Sequence, residues 1–407
     1  MLVDFKVSNY RSFKNEQDFS METGKRLRKY QTANTIQTKH ERLLKSALLF
    51  GANANGKTNL INALVMLKWL IVNPTTDELQ PLKTDTFGYN QASTRFEITF
   101  SDAQYQYNYI LDYTVDEVVY EALSVDEQVV FKRNRQSFDQ LPPQLAVVSD
   151  NIRKNQLLLY FAQQNNEQQS KLAYKWFVED LIIVNTDRIR NDKFKLLQDA
   201  TFKSKFLHFL QAADFNIHDV EVRERQESVS IPESVMKRLI ATGAADEDFT
   251  FMNSTAYDVY SIHNAQQGTF PVYFDNESTG TKVFMFLALY ILSNSEKTLL
   301  IDEFDRSYHL ELAQALLSLI NNKNQTNQFI LTTHELSLMD ADLRQDQIWF
   351  AEKNRFGESE LFSIFDFDDP ALKRSDFNYK KRYLEGVYGA TQLINQKLLL
   401  EALEENE

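Results

Sequence analysis

The sequence predicts an α/β fold with a mostly parallel core sheet, an antiparallel β subdomain and a helical insertion. The short apolar runs "KSALLF", "KTLLID" and "NQFILTT" show little polar alternation, which is typical of parallel strands buried on both faces. The segments between residues 95 and 125 instead alternate with period two, which indicates an antiparallel meander. Segments with helical spacing separate the buried strands, as an α/β architecture requires.

The N-terminal half, residues 1–150, is expected to contain strands of both kinds. The opening "LVDFKVSNYRSF" alternates as an edge strand does and turns at Ser8–Asn9. The strand "KSALLF" ends at Gly51, and the segment Lys57–Val72 has a wide apolar face at helical spacing. The runs "RFEITF", "YQYNYILDY" and "VVYEALSV" then form the predicted meander.

Residues 151–240 are rich in Gln, Asn, Lys and Leu at helical spacing, which predicts a helical insertion. Its two long amphipathic helices would be "IRKNQLLLYFAQQNNEQQSKLAYKWFVEDL" and "KFKLLQDATFKSKFLHFLQAADF". The segment "TGAADEDFTFMNST" predicts an exposed loop. Residues 241–407 return to α/β alternation, with helices at "KVFMFLALYIL" and "LELAQALLSLINN" and a terminal acidic helix at "LLLEALEENE".

Composition excludes several classes of protein. The chain has 407 residues, a net charge of −13 and no cysteine, so disulfides, thiolate zinc sites and cysteine nucleophiles are ruled out. The N-terminus lacks a basic region followed by an apolar core, and the longest apolar runs fall short of the ~20 residues that cross a bilayer. We therefore expect a cytoplasmic protein with no membrane contact. The negative charge disfavours nucleic-acid binding except through a local basic patch or a partner.

The stretch "LLFGANANGKTNL" matches the phosphate-binding pattern G-x-x-x-x-G-K-T between a predicted strand and a predicted helix. Glycine permits positive φ, which lets backbone N–H groups and the helix N-terminus face phosphate oxygens. Lys57 is expected to reach the β- and γ-phosphates, and Thr58 to ligate Mg²⁺. The alternative, a glycine turn that matches by chance, is disfavoured by the strand–loop–helix context. The residues expected to surround the nucleotide phosphates are Gly51, Ala52, Asn53, Ala54, Asn55, Gly56, Lys57, Thr58 and Asn59.

The segment "TLLIDEFD" is a hydrophobic strand that ends in adjacent carboxylates. A buried strand can hold Asp302 at its C-terminal edge, facing Mg²⁺ through water. Glu303, the next residue, can polarise the attacking water, since a carboxylate beside the γ-phosphate can accept its proton. The alternative is a charged strand end in solvent, which is common when no phosphate loop accompanies it.

Two further segments have features of a phosphate site. In "ESTGTK", Ser278 and the N–H groups around Gly280 lie where a helix N-terminus presents donors to an anion. Ordinary N-capping by Ser explains the same pattern when it stands alone. In "FILTTHE", His334 follows an apolar strand and could hydrogen-bond a γ-phosphate oxygen, although a histidine at a strand end is more often structural.

These four pieces resemble the ABC-type ATPase head: Walker A, signature, Walker B and switch histidine. Their order matches, and so do the gaps of 24 residues from Ser278 to Asp302 and 32 residues from Asp302 to His334. The opening "FKVSNYRSF" is similar to the SMC, RecF and overcoming-lysogenization-defect branch, and the closing "FNYKKRYLEGVYGA" resembles stand-alone abortive-infection (AbiL/RloA-like) AAA-family ATPases. The resemblance covers roughly residues 1–125 and 265–395. The long stretch between Lys57 and Asp302 implies a large insertion, and "ESTGT" departs from the transporter signature.

The resemblance implies ATP and Mg²⁺ as ligands and a head-to-tail homodimer, or a higher oligomer, through the ATP sites. Ser278 and Gly280 of one copy would close the γ-phosphate held by the other, and Asp305 would lie at the dimer interface. Arg11 could approach the nucleotide, but a surface arginine is an equal alternative. Gln91 is the nearest candidate for the glutamine that links the metal to the partner domain.

The sequence is compatible with three biological roles. The abortive-infection resemblance implies an ATP-driven sensor or regulator in anti-phage defence, acting with a separate effector, a nuclease or toxin, through which DNA or RNA could be contacted. The sequence shows no H-x-x-H, H-N-H or clustered acidic nuclease motif, and from the length of the segment after His334 we expect no C-terminal Toprim nuclease. A RecF- or SMC-like role in DNA repair would need a basic surface, for which only "GKRLRKY" and "DRIRNDKFK" are candidates. A transporter ATPase fits the N-terminus poorly.

Overall fold

The computed structural model describes residues 1–185, 191–230, 251–307, 309–367 and 377–389. Its helices are α1 (Gln31–Asn34), α2 (Lys57–Val72), α3 (Pro143–Ala146), α4 (Leu158–Gln164), α5 (Gln168–Lys175), α6 (Ala200–Ala212), α7 (Thr279–Ser293), α8 (Leu310–Ile320) and α9 (Tyr379–Leu384). None of these described helices combines the length and apolarity that crossing a bilayer would need. The predicted terminal helix "LLLEALEENE" lies outside the described residues.

The strands fall into four sheets. They are β1 (Leu2–Ser8), β2 (Gln17–Ser20), β3 (Thr35–Gln37), β4 (Arg42–Leu44), β5 (Ser46–Phe50), β6 (Thr94–Ser101), β7 (Gln106–Tyr113), β8 (Val118–Val125), β9 (Gln128–Asn134), β10 (Ser137–Gln140), β11 (Leu181–Val184), β12 (Ile217–Ser230), β13 (Phe251–Asn264), β14 (Thr269–Tyr273), β15 (Thr298–Ile301), β16 (Gln328–Thr332), β17 (Ile348–Lys353) and β18 (Ser359–Ser363). The α/β fold class is confirmed.

The chain divides into two compact units, and their limits differ from the expected boundaries at 150 and 240. The first unit comprises Met1–Val184 and Glu296–Glu407, and the second comprises Asn185–Ser295. Residues 151–184 therefore belong to the first unit, whereas the segment up to Ser295 belongs to the second. The assignment of separate roles to these regions stays a prediction.

The core sheet of the first unit is the mostly parallel sheet that the apolar runs predict. Its strand order is β11-β15-β16-β5-β17-β18, with parallel pairing throughout except between β17 and β18. Every residue of β5, β15 and β16 is buried, which explains their continuous apolar sequence. Because neighbouring parallel strands end at the same edge, the loops that follow β5, β15 and β16 are brought together there.

The second sheet of the first unit is the predicted antiparallel meander, enlarged to seven strands in the order β10-β9-β8-β7-β6-β1-β2. The prediction that the opening segment is an edge strand was wrong. The first strand pairs with both β2 and β6, so β2 occupies the edge. β2 has only four residues, "QDFS", too few for an alternating pattern to identify it as a strand.

The prediction of one long first helix was also wrong. This segment is divided into α4, α5 and a π-helical turn at Trp176–Asp180. Asn166 adopts a left-handed φ of 64°, and the Glu167 carboxylate caps α5 by accepting hydrogen bonds from the backbone of Gln169 and Ser170. The side chain of Trp176 stacks on Phe100 at 4.2 Å between ring centroids. This segment is therefore part of the first unit's core.

A buried carboxylate fixes the start of α4 to the antiparallel sheet. The Glu121 side chain on β8 accepts hydrogen bonds from the backbone N–H groups of Leu158 and Leu159, at 2.7 and 2.8 Å. It also forms an ion pair with Arg133 at 3.0 Å, and both side chains are fully buried. The Tyr109 hydroxyl donates to the same carboxylate, and burial beside this group raises the pKa of Tyr109 well above its usual value.

The second unit contains more β-structure than its sequence predicted. The second predicted long helix is shortened to α6, which begins where the Asp199 carboxylate accepts a hydrogen bond from the Phe202 N–H. It is followed by the antiparallel sheet β12-β13-β14, although β12 falls in the stretch predicted as helix. Only the short run "VEV" within β12 alternates with period two, a signal that the surrounding helical composition obscured. The predicted loop extends into β13 from Phe251 onward, and its earlier residues lie outside the described ranges.

Candidate active site

The loop between β5 and α2 has a backbone that only small residues can adopt at two positions. Gly51 and Gly56 have φ values of 141° and 108°, and Ala54 is left-handed at 63°. A Cβ atom at Gly51 would lie 2.4 Å from the Ala351 carbonyl oxygen, and one at Gly56 would lie 2.7 Å from the Ser359 hydroxyl. Both glycines are therefore required by conformation and by space.

Lys57, the first residue of α2, folds its side chain back into this loop. The residue is 4% exposed, and its Nζ donates to the carbonyl oxygens of Gly51 at 2.7 Å and Ala52 at 3.1 Å. The Nζ also lies 3.5 Å from Nδ1 of His334, the residue that sequence analysis paired with the γ-phosphate. The ammonium group is thus held at the centre of the predicted site.

Burial destabilises the charged form of Lys57, and acidic neighbours partly stabilise it. Burial lowers the pKa of the Lys57 ammonium, while the carboxylates of Asp302, Asp305 and Glu303 oppose that change. A buried cation with its charge incompletely compensated is a favourable environment for an incoming anion.

Asp302 follows β15 and points its carboxylate at the start of α2. Its Oδ1 accepts hydrogen bonds from the hydroxyls of Thr58 at 3.2 Å and Thr332 at 2.5 Å. Thr332 is the last residue of β16, so the pairing of β15 with β16 positions this contact. The hydroxyl and carboxylate oxygens of Thr58 and Asp302 are the hard ligands that Mg²⁺ prefers.

Glu303 is fixed through its backbone while its carboxylate remains accessible. Its φ is 50°, a conformation that non-glycine residues rarely adopt, and its N–H donates to the Thr332 hydroxyl at 2.8 Å. The following Phe304 N–H donates to the Thr332 carbonyl at 2.9 Å. The Glu303 carboxylate is 44% exposed and lies 3.6 Å from the Arg306 guanidinium. A carboxylate with this access can accept a proton from water.

Asp305 has an oxygen without a donor. Its Oδ1 is buried and has no hydrogen-bond partner among the residues that the structure describes. A buried carboxylate oxygen without a donor is costly, so an oxygen of this kind beside Lys57 requires a functional explanation. The sequence assigned Asp305 to a dimer interface, and that assignment stays a prediction.

The loop is braced by Ser12, a residue outside the phosphate-loop motif. The Asn59 amide donates to the Ser12 hydroxyl at 2.6 Å, and the Ser359 N–H donates to the Ser12 carbonyl at 2.7 Å. The Tyr10 hydroxyl adds a hydrogen bond to the backbone of α2, at the Asn62 carbonyl. No spacing rule could have found this brace, because β18 lies far along the sequence from the N-terminal turn.

Arg11 and Gln91 are the two other residues that the sequence suggested for the nucleotide and metal site. Arg11 forms an ion pair with Asp85, with 2.6 Å between Nε and Oδ2. Gln91 is exposed in the turn before β6. A role for either residue at the nucleotide or the metal stays a prediction.

Ser278 and Gly280 lie in the second unit, at the N-terminus of α7. Ser278 is the N-cap residue, and its hydroxyl accepts a hydrogen bond from the Thr281 N–H at 3.1 Å. Both Ser278 and Thr279 are exposed. Ser278 therefore acts as an ordinary N-cap, the alternative to a phosphate site. This capping leaves the other N–H groups of the first helical turn for a further partner.

Comparison with known proteins places the chain among ATPase domains. A family model described as "AAA domain, putative AbiEii toxin, Type IV TA system" matches residues 46–340. This match agrees with the ABC-type, SMC/RecF/OLD-like resemblance of the motifs. No curated protein sequence matches significantly.

Solved structures similar to the chain include several SMC heads. The SMC head domain from Thermotoga maritima has 13% identity and a TM-score of 0.40, covering 89% of this chain and 98% of that one. A Smc head bound to the C-winged helix domain of ScpA has 11% identity and a TM-score of 0.42, with 89% and 97% covered. A Smc head from Pyrococcus furiosus bound to the C-terminal domain of ScpA has the same identity and TM-score, with 89% and 96% covered. At these values the likeness carries no argument about function or partners.

Replacing Gly56 with alanine is expected to distort the loop. The new Cβ would impose a left-handed cost of about 1–2 kcal/mol and would press on Ser359, adding about 1–3 kcal/mol. The matched control is Gly357→Ala, which has a φ of 80° but open space around the Cβ position, so only the first cost applies. Urea unfolding of both variants measures the difference. Equal losses would show that the contact with Ser359 is not tight.

Proposed function

Since the chain belongs to the family of AAA domains described as putative AbiEii toxins of type IV toxin–antitoxin systems, we propose that it binds and hydrolyses ATP. We further propose that this activity drives a sensor or regulator of anti-phage defence that works with a separate effector. The observation that carries the proposal is one cluster. The ammonium of Lys57, the hydroxyl of Thr58 and the carboxylate of Asp302 meet at the ends of parallel strands.

The loop residues from Gly51 to Asn59 would surround the phosphates of ATP. Lys57 now donates to two backbone carbonyls, and phosphate oxygens would replace those acceptors with charged ones. Because Lys57 is buried, each such contact is stronger than it would be in water. The brace between Ser12 and Asn59 would keep α2 in register with the loop while the side chain changes partners.

The residues of the site fit a magnesium ion. The Thr58 hydroxyl and the Asp302 carboxylate are already within 3.2 Å of each other, and the Thr332 hydroxyl fixes the same carboxylate oxygen. Thr58 and Asp302 would hold Mg²⁺, directly or through water. Bound there, the metal supplies charge neutralisation for the phosphates.

Glu303 and His334 would carry out the hydrolytic step. The exposed carboxylate of Glu303 would orient the attacking water and accept its proton. His334 lies 3.5 Å from the Lys57 ammonium and is exposed, so it could donate a hydrogen bond to a γ-phosphate oxygen. The Arg306 guanidinium, 3.6 Å from the Glu303 carboxylate, would help to hold that carboxylate in position.

A second copy of the chain would complete the site. The free N–H groups at the start of α7, around Gly280, and the Ser278 hydroxyl offer donors to an anion. In a head-to-tail dimer, these groups of one copy would contact the γ-phosphate held by Lys57 of the other, and the uncompensated oxygen of Asp305 would find a donor across the interface. ATP would favour the closed dimer because only that state offers both sets of contacts.

Glu303→Gln is expected to trap an ATP-bound dimer, because it removes the proton acceptor while leaving the phosphate contacts intact. Size-exclusion chromatography with light scattering, in Mg²⁺ and ATP, should show a shift from monomer to dimer that ADP does not produce. Wild-type protein under the same conditions is the control. A Glu303→Gln protein that binds ATP yet remains monomeric would contradict the dimer model.

Two inactive variants are expected to restore activity when mixed. Lys57→Ala removes the phosphate contact, and Ser278→Arg blocks the signature face, so neither variant alone should hydrolyse ATP. In a mixed head-to-tail dimer, one site combines an intact Lys57 from one chain with an intact Ser278 from the other. ATPase assays across mixing ratios should therefore show activity only in the mixture. If the mixture is as inactive as its components, the two groups do not share a site.

The role in defence is tested in cells that lack the protein. The region encoding the chain and its neighbouring genes is expected to reduce phage plaque formation, and Lys57→Ala should abolish that reduction because the switch no longer responds to ATP. Deleting the effector gene should have the same result. Protection that survives Lys57→Ala would contradict the proposal. Sensitivity to DNA damage without phage would favour the RecF/SMC-like alternative.

A further inference from the structure

The segment "GKRLRKYQ" (residues 24–31) forms two consecutive turns that carry four cations. The first turn closes with a hydrogen bond from the Leu27 N–H to the Gly24 carbonyl at 3.0 Å, and the second from the Gln31 N–H to the Arg28 carbonyl at 3.4 Å. We call these two turns the basic turns. Their exposed cationic side chains are Lys25, Arg26, Arg28 and Lys29.

A buried ion pair holds the backbone of the basic turns in place. Arg344 is 2% exposed and is bound by two parallel hydrogen bonds to Asp346, at 2.6 and 3.0 Å. Its remaining nitrogen donates to the carbonyls of Leu27 and Lys29, both at 3.1 Å. The Asp346 carboxylate in turn accepts from the Gly24 N–H at 2.8 Å. Buried ion pairs of this type contribute little net stability to a fold. The effect of this pair is to hold the turns in one position.

Tyr30 adds a second point of attachment. Its φ is 54°, which is strained for a bulky residue, and its hydroxyl donates to the Asp342 carboxylate at 2.7 Å. This hydrogen bond raises the pKa of Tyr30 to about 12, so the hydroxyl remains a donor at neutral pH. Both turns are thus fixed before any partner arrives, which lowers the entropic cost of binding.

The cations of the basic turns have no ion-pair partner among the residues that the structure describes. None of the four side chains forms an ion pair with any residue in the described ranges, and the Lys29 ammonium lies 4.7 Å from the centroid of the Tyr30 ring. The chain as a whole carries a net charge of −13. Four cations that have no ion pair within the described ranges, on turns held in one position, contrast with the acidic character of the chain, and they suit a polyanion.

An exposed aromatic ring borders the first turn. Phe365 is 45% exposed, and Gly24 packs so closely against it that an added Cβ would lie 2.6 Å from the ring. An exposed aromatic ring beside cations is the combination that binds single-stranded nucleic acid, in which bases stack on aromatic side chains while Lys and Arg contact phosphates. A duplex keeps its bases paired, and an acidic peptide offers no base to stack.

We propose that the basic turns and Phe365 form a binding site for single-stranded nucleic acid. Lys25, Arg26, Arg28 and Lys29 contact phosphates, and Phe365 stacks on one base. The site is separate from the ATP chemistry and does not depend on it. Arg344 is a positioning residue, since it acts only through the backbone of the turns.

The test uses the full chain and fluorescence anisotropy with single-stranded DNA and RNA oligonucleotides over a series of salt concentrations. The variant Lys25→Gln/Arg26→Gln/Arg28→Gln/Lys29→Gln is expected to reduce the slope of log K against log salt by about 3, since each phosphate contact on a single strand contributes about 0.7. Phe365→Ala should weaken binding roughly tenfold and leave the salt slope unchanged, as loss of one stacked base requires.

A matched control removes two arginines and two lysines from other exposed positions, as Arg135→Gln/Lys171→Gln/Lys175→Gln/Arg355→Gln. It has the same net charge as the test variant and should bind as the wild type does. All variants alter exposed side chains, so unchanged thermal unfolding is expected. Equal weakening by the control would overturn the proposal, as would a wild-type chain that binds polyglutamate but not single strands, since the partner would then be an acidic protein.

Discussion

The buried ammonium of Lys57, held at the carboxyl ends of parallel strands, is the interaction on which the site depends. Burial disfavours its charge, so the surrounding groups must compensate, and they do so from two directions. The loop supplies the carbonyls of Gly51 and Ala52, and the end of β15 supplies carboxylates. These groups can converge only because β5, β15 and β16 lie near one another in one parallel sheet. The sheet order therefore determines the chemistry of the site.

The parts of the fold that follow from this sheet could be predicted from the sequence. A strand buried on both faces needs a continuous apolar run, and the helix after the glycine loop begins and ends at the predicted Lys57 and Val72. The motif positions within the first unit were predictable for the same reason. Asp302 and His334 closely follow β15 and β16, and Lys57 and Thr58 begin the helix after β5, so local patterns could indicate each position. The structure brings these four together.

The parts that depend on contacts between distant segments could not be predicted. The break between α4 and α5 depends on a left-handed Asn166 and on the capping carboxylate of Glu167, whereas the apolar spacing continues across it. The brace of Ser12 on Asn59 needs the N-terminal turn and β18 to meet, which no local pattern reports. For the same reason the sequence could not show that residues 24–31 are held by Arg344. Propensity describes neighbours in sequence, and these features arise from neighbours in space.

The net charge of the chain makes this spatial preparation necessary. A protein with a charge of −13 does not attract anions at long range, and at physiological salt the field is screened within about 8 Å. Anion binding must then rely on cations whose position is fixed before contact. Lys57 is fixed by loop carbonyls, and the basic turns are fixed by the buried guanidinium of Arg344. At Lys57 and at the basic turns, hydrogen bonds with buried polar groups hold the cationic segment in one position. The proposed phosphate contacts therefore depend on these fixed cations, because the net charge of the chain does not attract an anion.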